Sequence, residues 1–338
     1  MTSTADRWEV RDLNDARAVV VYHPEKLHGP RWQRILTREE QRTDRAPSLW
    51  IPTQADEDPA TLRNRLREAG ALDADVLIAA GGDGTVRLTA EVAMLTGQSI
   101  GLWPVGSTNL FARNLELPAL DPAAGLRAAL GRTERLVDTM AVTAVLEDGT
   151  RVRRTSLVLA GFGVDAQMVV HTSDEAKAQF GWLAYVDGVR RGISRPDRFD
   201  VTYSLDGSTP QDARLLTLAV GNGGLLPAGL VLLPDARIDD GALDVLLLRP
   251  DGVRGWGDMA SWFLKENGVV RRLMRRAGNR RPLRTGPSVQ LFDAREVRLR
   301  LRHPEDFQLD GEYIGRAVAL RAVVQHGTLR VRVPEPSR

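Results

Sequence analysis

The stretch Asp75-Val-Leu-Ile-Ala-Ala80 runs without a polar break into Gly81-Gly82-Asp83-Gly84-Thr85, and it constrains the chain more than any other feature. An apolar run of that length suits a strand buried on both faces of a parallel sheet. Glycines at its end let the backbone turn and lie close to a bulky group without Cβ clashes. The pattern repeats on either side. Apolar runs at 18–22, 50–51 and 100–104 read as strands, and helical spacing at 32–45, 59–69, 87–95, 110–115 and 122–130 places helices between them. Strand–helix alternation to about residue 135 predicts a parallel α/β layer.

The pattern changes near Asp138. Strands are expected at 141–146, 155–161, 198–204, 215–220, 242–248, 296–301, 317–324 and 328–333, interrupted by helices at 177–188 and 256–276. That predicts a β-sandwich-like second domain. The expected division is 16–138, with 325–338 completing it, and 139–324. A length of 338 residues accommodates two such domains.

Composition narrows the chemistry. Lys+Arg is 46 against Asp+Glu 44, a formal charge of +2, which argues against a globally basic nucleic-acid binder. There is no Cys, so disulfides, thiolate metal sites and Cys nucleophiles are excluded. No G-x-x-x-x-G-K-[ST] and no V-A-I-K with H-R-D occurs, which argues against a P-loop ATPase and a protein kinase. The acidic N-terminus without an apolar core is not expected to be a signal peptide. The uncharged stretch 215–234 is broken by Gly221, Gly223, Gly224, Pro227 and Gly229, so it reads as two strands around a glycine loop rather than a membrane span. Reducing, cytoplasmic surroundings fit this set.

Two loops point to a phosphate ligand. Gly81, Gly82 and Gly84 stand between a strand and a helix, where N–H groups of the helix start face anions. Asp83 is a carboxylate in that anion site, which suits a metal or ribose contact; a tight turn with a capping Asp gives the same residues. Pro104-Val-Gly106-Ser107-Thr108-Asn109 again follows a strand and opens a helix, supplying hydroxyl and amide groups or an N-cap. Loops at the ends of neighbouring strands form the usual ligand crevice of open α/β sheets.

In these motifs and others the sequence resembles the diacylglycerol kinase catalytic-domain family, which also includes sphingosine, ceramide and bacterial lipid kinases. The resemblance rests on GGDGTV (81–86), PVGSTNLFARNL (104–115), AGFGVDAQMV (160–169), GNGG (221–224), DARIDDGALDV (235–245) and QLDGE (308–312). It implies a nucleotide-binding α/β domain like that of NAD kinases, beside a β-sandwich-like lipid-substrate domain. It also implies ATP and Mg2+ as cofactors and phosphorylation of a lipid hydroxyl, with diacylglycerol the leading acceptor. Sphingoid-base kinase, NAD kinase and a nucleotide-binding regulatory protein without turnover are the rival readings.

By the same resemblance, Gly81, Gly82, Asp83, Gly84, Thr85, Val86 and Arg87 would hold the ATP phosphates, with Thr53, Gly106, Ser107, Thr108 and Asn109 nearby. Glu312 would be the general base, with Asp310 and Asp83 as its catalytic companions. Arg237, Asp240 and Ala242 fall where bacterial members bind magnesium, two of them through main-chain oxygens. Three positions depart from the family pattern. The usual N-P-x-S-G loop reads His23-Pro-Glu-Lys-Leu-His-Gly29, with Lys26 offering a point charge; Leu110 replaces a frequent Asp; Arg87 replaces a frequent Asn.

The five histidines show no ligand spacing and read as loop or surface residues. Between 263 and 284 stand Lys265, Arg271, Arg272, Arg275, Arg276, Arg280, Arg281 and Arg284 against Glu266 alone, preceded by Trp256, Trp262, Phe263 and Leu264. An anionic membrane surface is the expected partner there, with a solvated helix face as the plainer account. Nucleic acid ranks low without a stacking platform. The sequence leaves a homodimer open.

Overall fold

Parallel strands built from the apolar runs make the sheet of the first half. The structure, a computed structural model, describes residues 8–10, 17–118, 121–163, 198–267 and 286–335. The chain divides into two compact units, Met1–Asp138 with His326–Arg338, and Thr139–Gln325.

In the first unit a short β1 (Trp8–Val10) precedes β2 (Ala18–Tyr22), β3 (Leu49–Pro52), β4 (Val76–Gly81) and β5 (Ser99–Pro104). The last four are parallel in the order β3-β2-β4-β5. The helices are α1 (Pro30–Arg42), α2 (Pro59–Glu68), α3 (Asp83–Thr96), α4 (Leu110–Asn114) and α5 (Pro122–Ala129). Sequence signals set their ends. Asp58 and Asp121 cap α2 and α5 ahead of a proline, and Gly97 closes α3 at φ 75°. A Cβ on Gly101 would lie 2.6 Å from that of Ala129, so α5 rests directly on β5. Trp103 fills the core, with Trp32 and Trp50 edge-on at 5.8 and 6.1 Å.

The second unit is antiparallel. Its strands are β6 (Thr133–Leu146), β7 (Arg151–Ser156), β8 (Leu159–Gly163), β9 (Phe199–Leu205), β10 (Gln211–Leu215), β11 (Thr217–Gly221) and β12 (Leu243–Leu248). After α6 (Gly252–Asn267) come β13 (Val289–Ala294), β14 (Glu296–Leu309) and β15 (Glu312–Arg332). The strands β13-β12-β11-β8-β14 lie in that order, and β14 also pairs with β9 and β15. Phe162 stacks on Phe307 at 5.1 Å inside the core. The first residues of β6 and the last of β15 belong to the first unit.

There, Val331 pairs with Ile100, and Arg332, fully buried, sits 3.1 Å from Glu134 and 3.4 Å from Asp75. Arg45 holds Asp75 at 3.1 Å, and Ser99 donates to Glu134 at 2.5 Å. Removing one partner of such a network costs ~3–5 kcal/mol, because a buried charge is left unpaired.

Several expected elements are corrected. The strand read at 155–161 is two, β7 and β8, with residues 157–158 between them. The strands read at 317–324 and 328–333 are one, β15. β10 and β13 were not anticipated, because QDARL is polar and Gln290 and Asp293 break the apolar run of VQLFDA. The helix expected at 256–276 is described to Asn267 only, and the one at 177–188 lies outside the described residues.

Candidate functional site

Gly81 and Pro104 are register partners on β4 and β5, so the two glycine-bearing loops leave the sheet side by side. A Cβ on Gly106 would stand 2.7 Å from the Cα of Gly82 and 3.1 Å from the carbonyl oxygen of Gly81. The loops therefore touch backbone to backbone, and only glycine fits at that crossing. Asp83 Oδ1 accepts the N–H of Leu110 at 2.6 Å, tying the first turn of α3 to the start of α4. Asn109 is left-handed at φ 47° and its amide donates to the Gly106 carbonyl at 2.7 Å. Arg113 Nε donates to the Thr108 carbonyl at 2.7 Å. Ser107 is exposed.

The helix begins at Asp83, four residues earlier than the spacing predicts, so Asp83, Gly84, Thr85, Val86 and Arg87 are helical and the loop proper is Gly81–Gly82. The N-cap of α3 is Gly82, and no side chain caps it. Its leading N–H groups carry the positive end of the helix dipole to whatever binds there. Thr85 packs over Gly81, where a Cβ would collide with it, while Gly84 is exposed. Arg87 is half-buried.

Lys26 reaches this point from the loop after β2. A Cβ on Gly82 would lie 2.5 Å from its Nζ, so the ammonium covers that glycine. The loop is held by His23, whose N–H donates to the Ala80 carbonyl at 3.0 Å and whose own carbonyl accepts from Lys26 and Leu27 at 3.1 Å each. Thr53 donates through its N–H at 2.8 Å and its hydroxyl at 3.3 Å to the Tyr22 carbonyl, joining the ends of β3 and β2. The structure thus gathers Lys26, Gly81, Gly82, Asp83, Gly106 and Asn109.

In the second unit, Asp310 and Gly311 form a two-residue hairpin between β14 and β15, with φ 49° and 83°. Asp-Gly suits this turn, which needs positive φ at both positions. The Asp310 carboxylate is buried and fully engaged. Oδ1 accepts from Ser156 Oγ at 2.8 Å, Val158 N at 2.9 Å and Leu159 N at 3.0 Å; Oδ2 accepts from Leu157 N at 2.9 Å. Its oxygens hold the segment between β7 and β8. Glu312, the register partner of Leu309, is exposed at the start of β15. The turn sends the two carboxylates in different directions.

The Asp240 carboxylate accepts the Ala242 N–H at 3.2 Å, and Arg237 lies 3.8 Å from Asp239. Among the described residues no trio of His, Asp and Glu side chains is placed to hold a metal. A magnesium ion here would rest on one carboxylate plus main-chain oxygens, a hard-donor set of the right chemical kind. Burial, followed by the charges of Asp293, Asp240 and Asp235, pushes the nearby Asp244 carboxyl up to about 8. Near pH 7 the Asp244 carboxyl therefore holds its proton and adds no charge beside Asp240.

Sequence reading missed Ser156 and the segment 157–159, which carry no motif. Val158 is gripped from both sides, its N–H by Asp310 and its carbonyl by the N–H groups of Asn222 at 2.8 Å and Gly223 at 3.2 Å. So GNGG and LDGE meet on one stretch of backbone. Of the basic region, Trp262 and Phe263 are buried against each other, against expectation, and Leu264 is exposed. Arg271, Arg272, Arg275, Arg276, Arg280, Arg281 and Arg284 lie outside the described residues.

Comparison with known proteins finds a family match in each half of the chain. Residues 17–142 match the diacylglycerol kinase catalytic domain, and 158–255 match the YegS C-terminal NAD kinase beta sandwich-like domain. Over 286 residues the chain is 33% identical to the probable lipid kinase YegS-like protein of Pseudomonas aeruginosa strain UCBPP-PA14, covering 81% of this chain and 82% of that one. It is 30% identical over 236 residues to the protein of the same description from Stenotrophomonas maltophilia, covering 65% and 74%. Its fold is similar to a diacylglycerol kinase crystal structure from Bacillus anthracis, with a TM-score of 0.64 at 15% identity, covering 96% of this chain and 99% of that one. On these matches the chain belongs to the diacylglycerol kinase catalytic-domain family, with a C-terminal domain of the YegS type.

Proposed function

We propose that this protein is an ATP-dependent lipid kinase, with diacylglycerol as its acceptor and phosphatidic acid as its product. The observation that carries the reading is the Lys26 ammonium over Gly82, at the uncapped start of α3 and beside the Gly106 loop. Backbone N–H groups and a lysine together suit a polyphosphate chain. Relatives described as lipid kinases supply the acceptor class.

In the proposed reaction the lipid hydroxyl oxygen forms a bond to the γ-phosphorus while the bond from that phosphorus to the bridging oxygen breaks, releasing ADP. The exposed Glu312 carboxylate takes the hydroxyl proton. Asp310 holds the hairpin from which Glu312 projects and touches no reacting atom. Asp83 positions the two phosphate loops against each other. Asp240, with main-chain oxygens of Arg237 and Ala242, would hold a magnesium ion, which would supply charge neutralisation. No described helix is long and apolar enough to cross a membrane. The basic stretch 263–284 is the proposed contact with an anionic leaflet at the cytoplasmic face.

The test is incubation with labelled ATP and a panel of diacylglycerol, sphingosine, undecaprenol and NAD, with products resolved by chromatography. Label in phosphatidic acid is the expected result. Label in a sphingoid phosphate alone would move the acceptor, and label in NADP alone would overturn the lipid assignment.

A further inference from the structure

A cavity of the first unit lies away from the glycine loops. It has a volume of about 640 Å³ and opens among the last turn of α1, the outer side of α5 and the residues after β15. Arg42 to Arg45 lead into β3 and Asp75 into β4, so this is the edge where the parallel strands begin. The glycine loops follow the opposite ends of β4 and β5. A volume of this size takes a small metabolite.

Its lining is unusual for a structural void. Four arginines, Arg42, Arg45, Arg127 and Arg132, face it against two carboxylates, Asp44 and Glu335. Two of the guanidinium groups are fixed by one buried carboxylate: Glu39 Oε2 accepts from Arg42 Nε at 2.8 Å, and Glu39 Oε1 lies 3.5 Å from Arg127 Nη1. Glu39 thus engages Arg42 through Nε and Arg127 through one terminal nitrogen, and both side chains remain about half exposed. Arg45 is nine-tenths buried and set by Asp75, which belongs to the network around Arg332. Arginines whose stems are already anchored lose little freedom on binding an anion, and the planar fork matches phosphate oxygens two at a time. Ala124, Ala128 and Leu130 give the opposite wall an apolar surface.

We infer that this cavity is a second anion site, separate from the nucleotide loops, that binds a small phosphate ester or diphosphate between Arg42 and Arg127, with its apolar part against α5. The reading is independent of the lipid-kinase assignment and concerns binding alone.

Inorganic pyrophosphate, titrated calorimetrically into the full chain, is the probe. Lys26→Glu is introduced first, to weaken binding at the glycine loops. One pyrophosphate per chain is expected to remain. Adding Arg42→Ala and Arg127→Ala should lower the remaining affinity ~10–100-fold, the worth of a charge-assisted pair. Ala124→Phe, which fills the cavity without changing charge, should do the same. Melting curves of all variants within about 3 °C of the parent exclude unfolding as the cause. Pyrophosphate binding that survives both the arginine and the Ala124 changes, or its absence at millimolar concentration, overturns the inference. A parallel arm uses phosphatidylcholine vesicles with and without phosphatidic acid. Loss of vesicle binding in the arginine variant without any pyrophosphate site would identify a membrane contact in its place and equally overturn it.

Discussion

Asp83 and Leu110 are joined by a hydrogen bond of 2.6 Å, carboxylate to main-chain N–H, and that bond links the two glycine loops. It gives the glycine-flanked carboxylate a role that charge alone does not supply. Asp83→Asn retains an acceptor for the Leu110 N–H, whereas Asp83→Ala removes it. The Ala variant should therefore raise the KM for ATP and lower turnover, each at least ~10-fold, with a stability loss of ~0.5–1.5 kcal/mol from one lost hydrogen bond. The Asn variant should keep the melting temperature and lose turnover in proportion to the need for negative charge. Equal ATP kinetics in Ala, Asn and parent would remove Asp83 from the site.

Lys26 stands where the family pattern has a phosphate loop of different sequence, and its ammonium lies over Gly82. Lys26→Ala should weaken ATP ~10–100-fold, the loss of one charge-assisted contact, while the KM for lipid stays the same. The dependence of ATP affinity on salt should become shallower in the variant. An unchanged KM for ATP would assign Lys26 to the surface.

Much of this was legible in the residues, for physical reasons. The parallel sheet showed because buried strands such as VLIAAG are continuous apolar runs, and the helix ends showed because Asp58-Pro59, Asp121-Pro122 and Gly97 have conformations of their own. Both glycine loops were legible from composition, and their contact through Gly106 and Gly82 was not, since it depends on register between β4 and β5. Asp310 is the sharpest case. Its Asp-Gly turn is a local signal, but its four donors lie 151 to 154 residues away, and no spacing rule reaches that far. The arginine cavity was equally hidden, because its side chains come from α1, α5 and the loop after each.

Asp244 offers a test by pH. Its carboxyl is raised from 3.8 to about 8 by burial and by Asp293, Asp240 and Asp235. The folded chain thus holds a proton there that the unfolded chain has lost above pH ~4. The protonated form's stability is fully present below that pH and is lost as pH rises through about 8, with a slope of at most ~1.4 kcal/mol per pH unit from this one group. In chelator-treated buffer, denaturant unfolding of the parent should show falling stability from pH 5 to 8, and Asp244→Asn should flatten the curve over that window. A parent curve as flat as that of the variant would mean that Asp244 titrates normally.

The hairpin carboxylates separate positioning from chemistry. Asp310 accepts three main-chain N–H groups and one hydroxyl, all buried, while Glu312 is exposed two residues on. In Asp310→Asn the backbone is not the problem, because Asn tolerates the left-handed φ that Asp310 adopts. The problem is electrostatic: with Oδ1 kept in place, the new NH2 points at the N–H of Leu157, donor against donor. That should cost ~1–3 kcal/mol, read as a melting temperature lower by ~2–12 °C, with the residual activity scaling with the folded fraction. Glu312→Gln should leave melting unchanged and ATP binding intact, yet lower turnover ~10²–10⁴-fold, because the amide cannot take the hydroxyl proton. A stable Asp310→Asn protein that binds ATP and turns over nothing, beside a nearly normal Glu312→Gln, would reverse the two roles and place the base at Asp310.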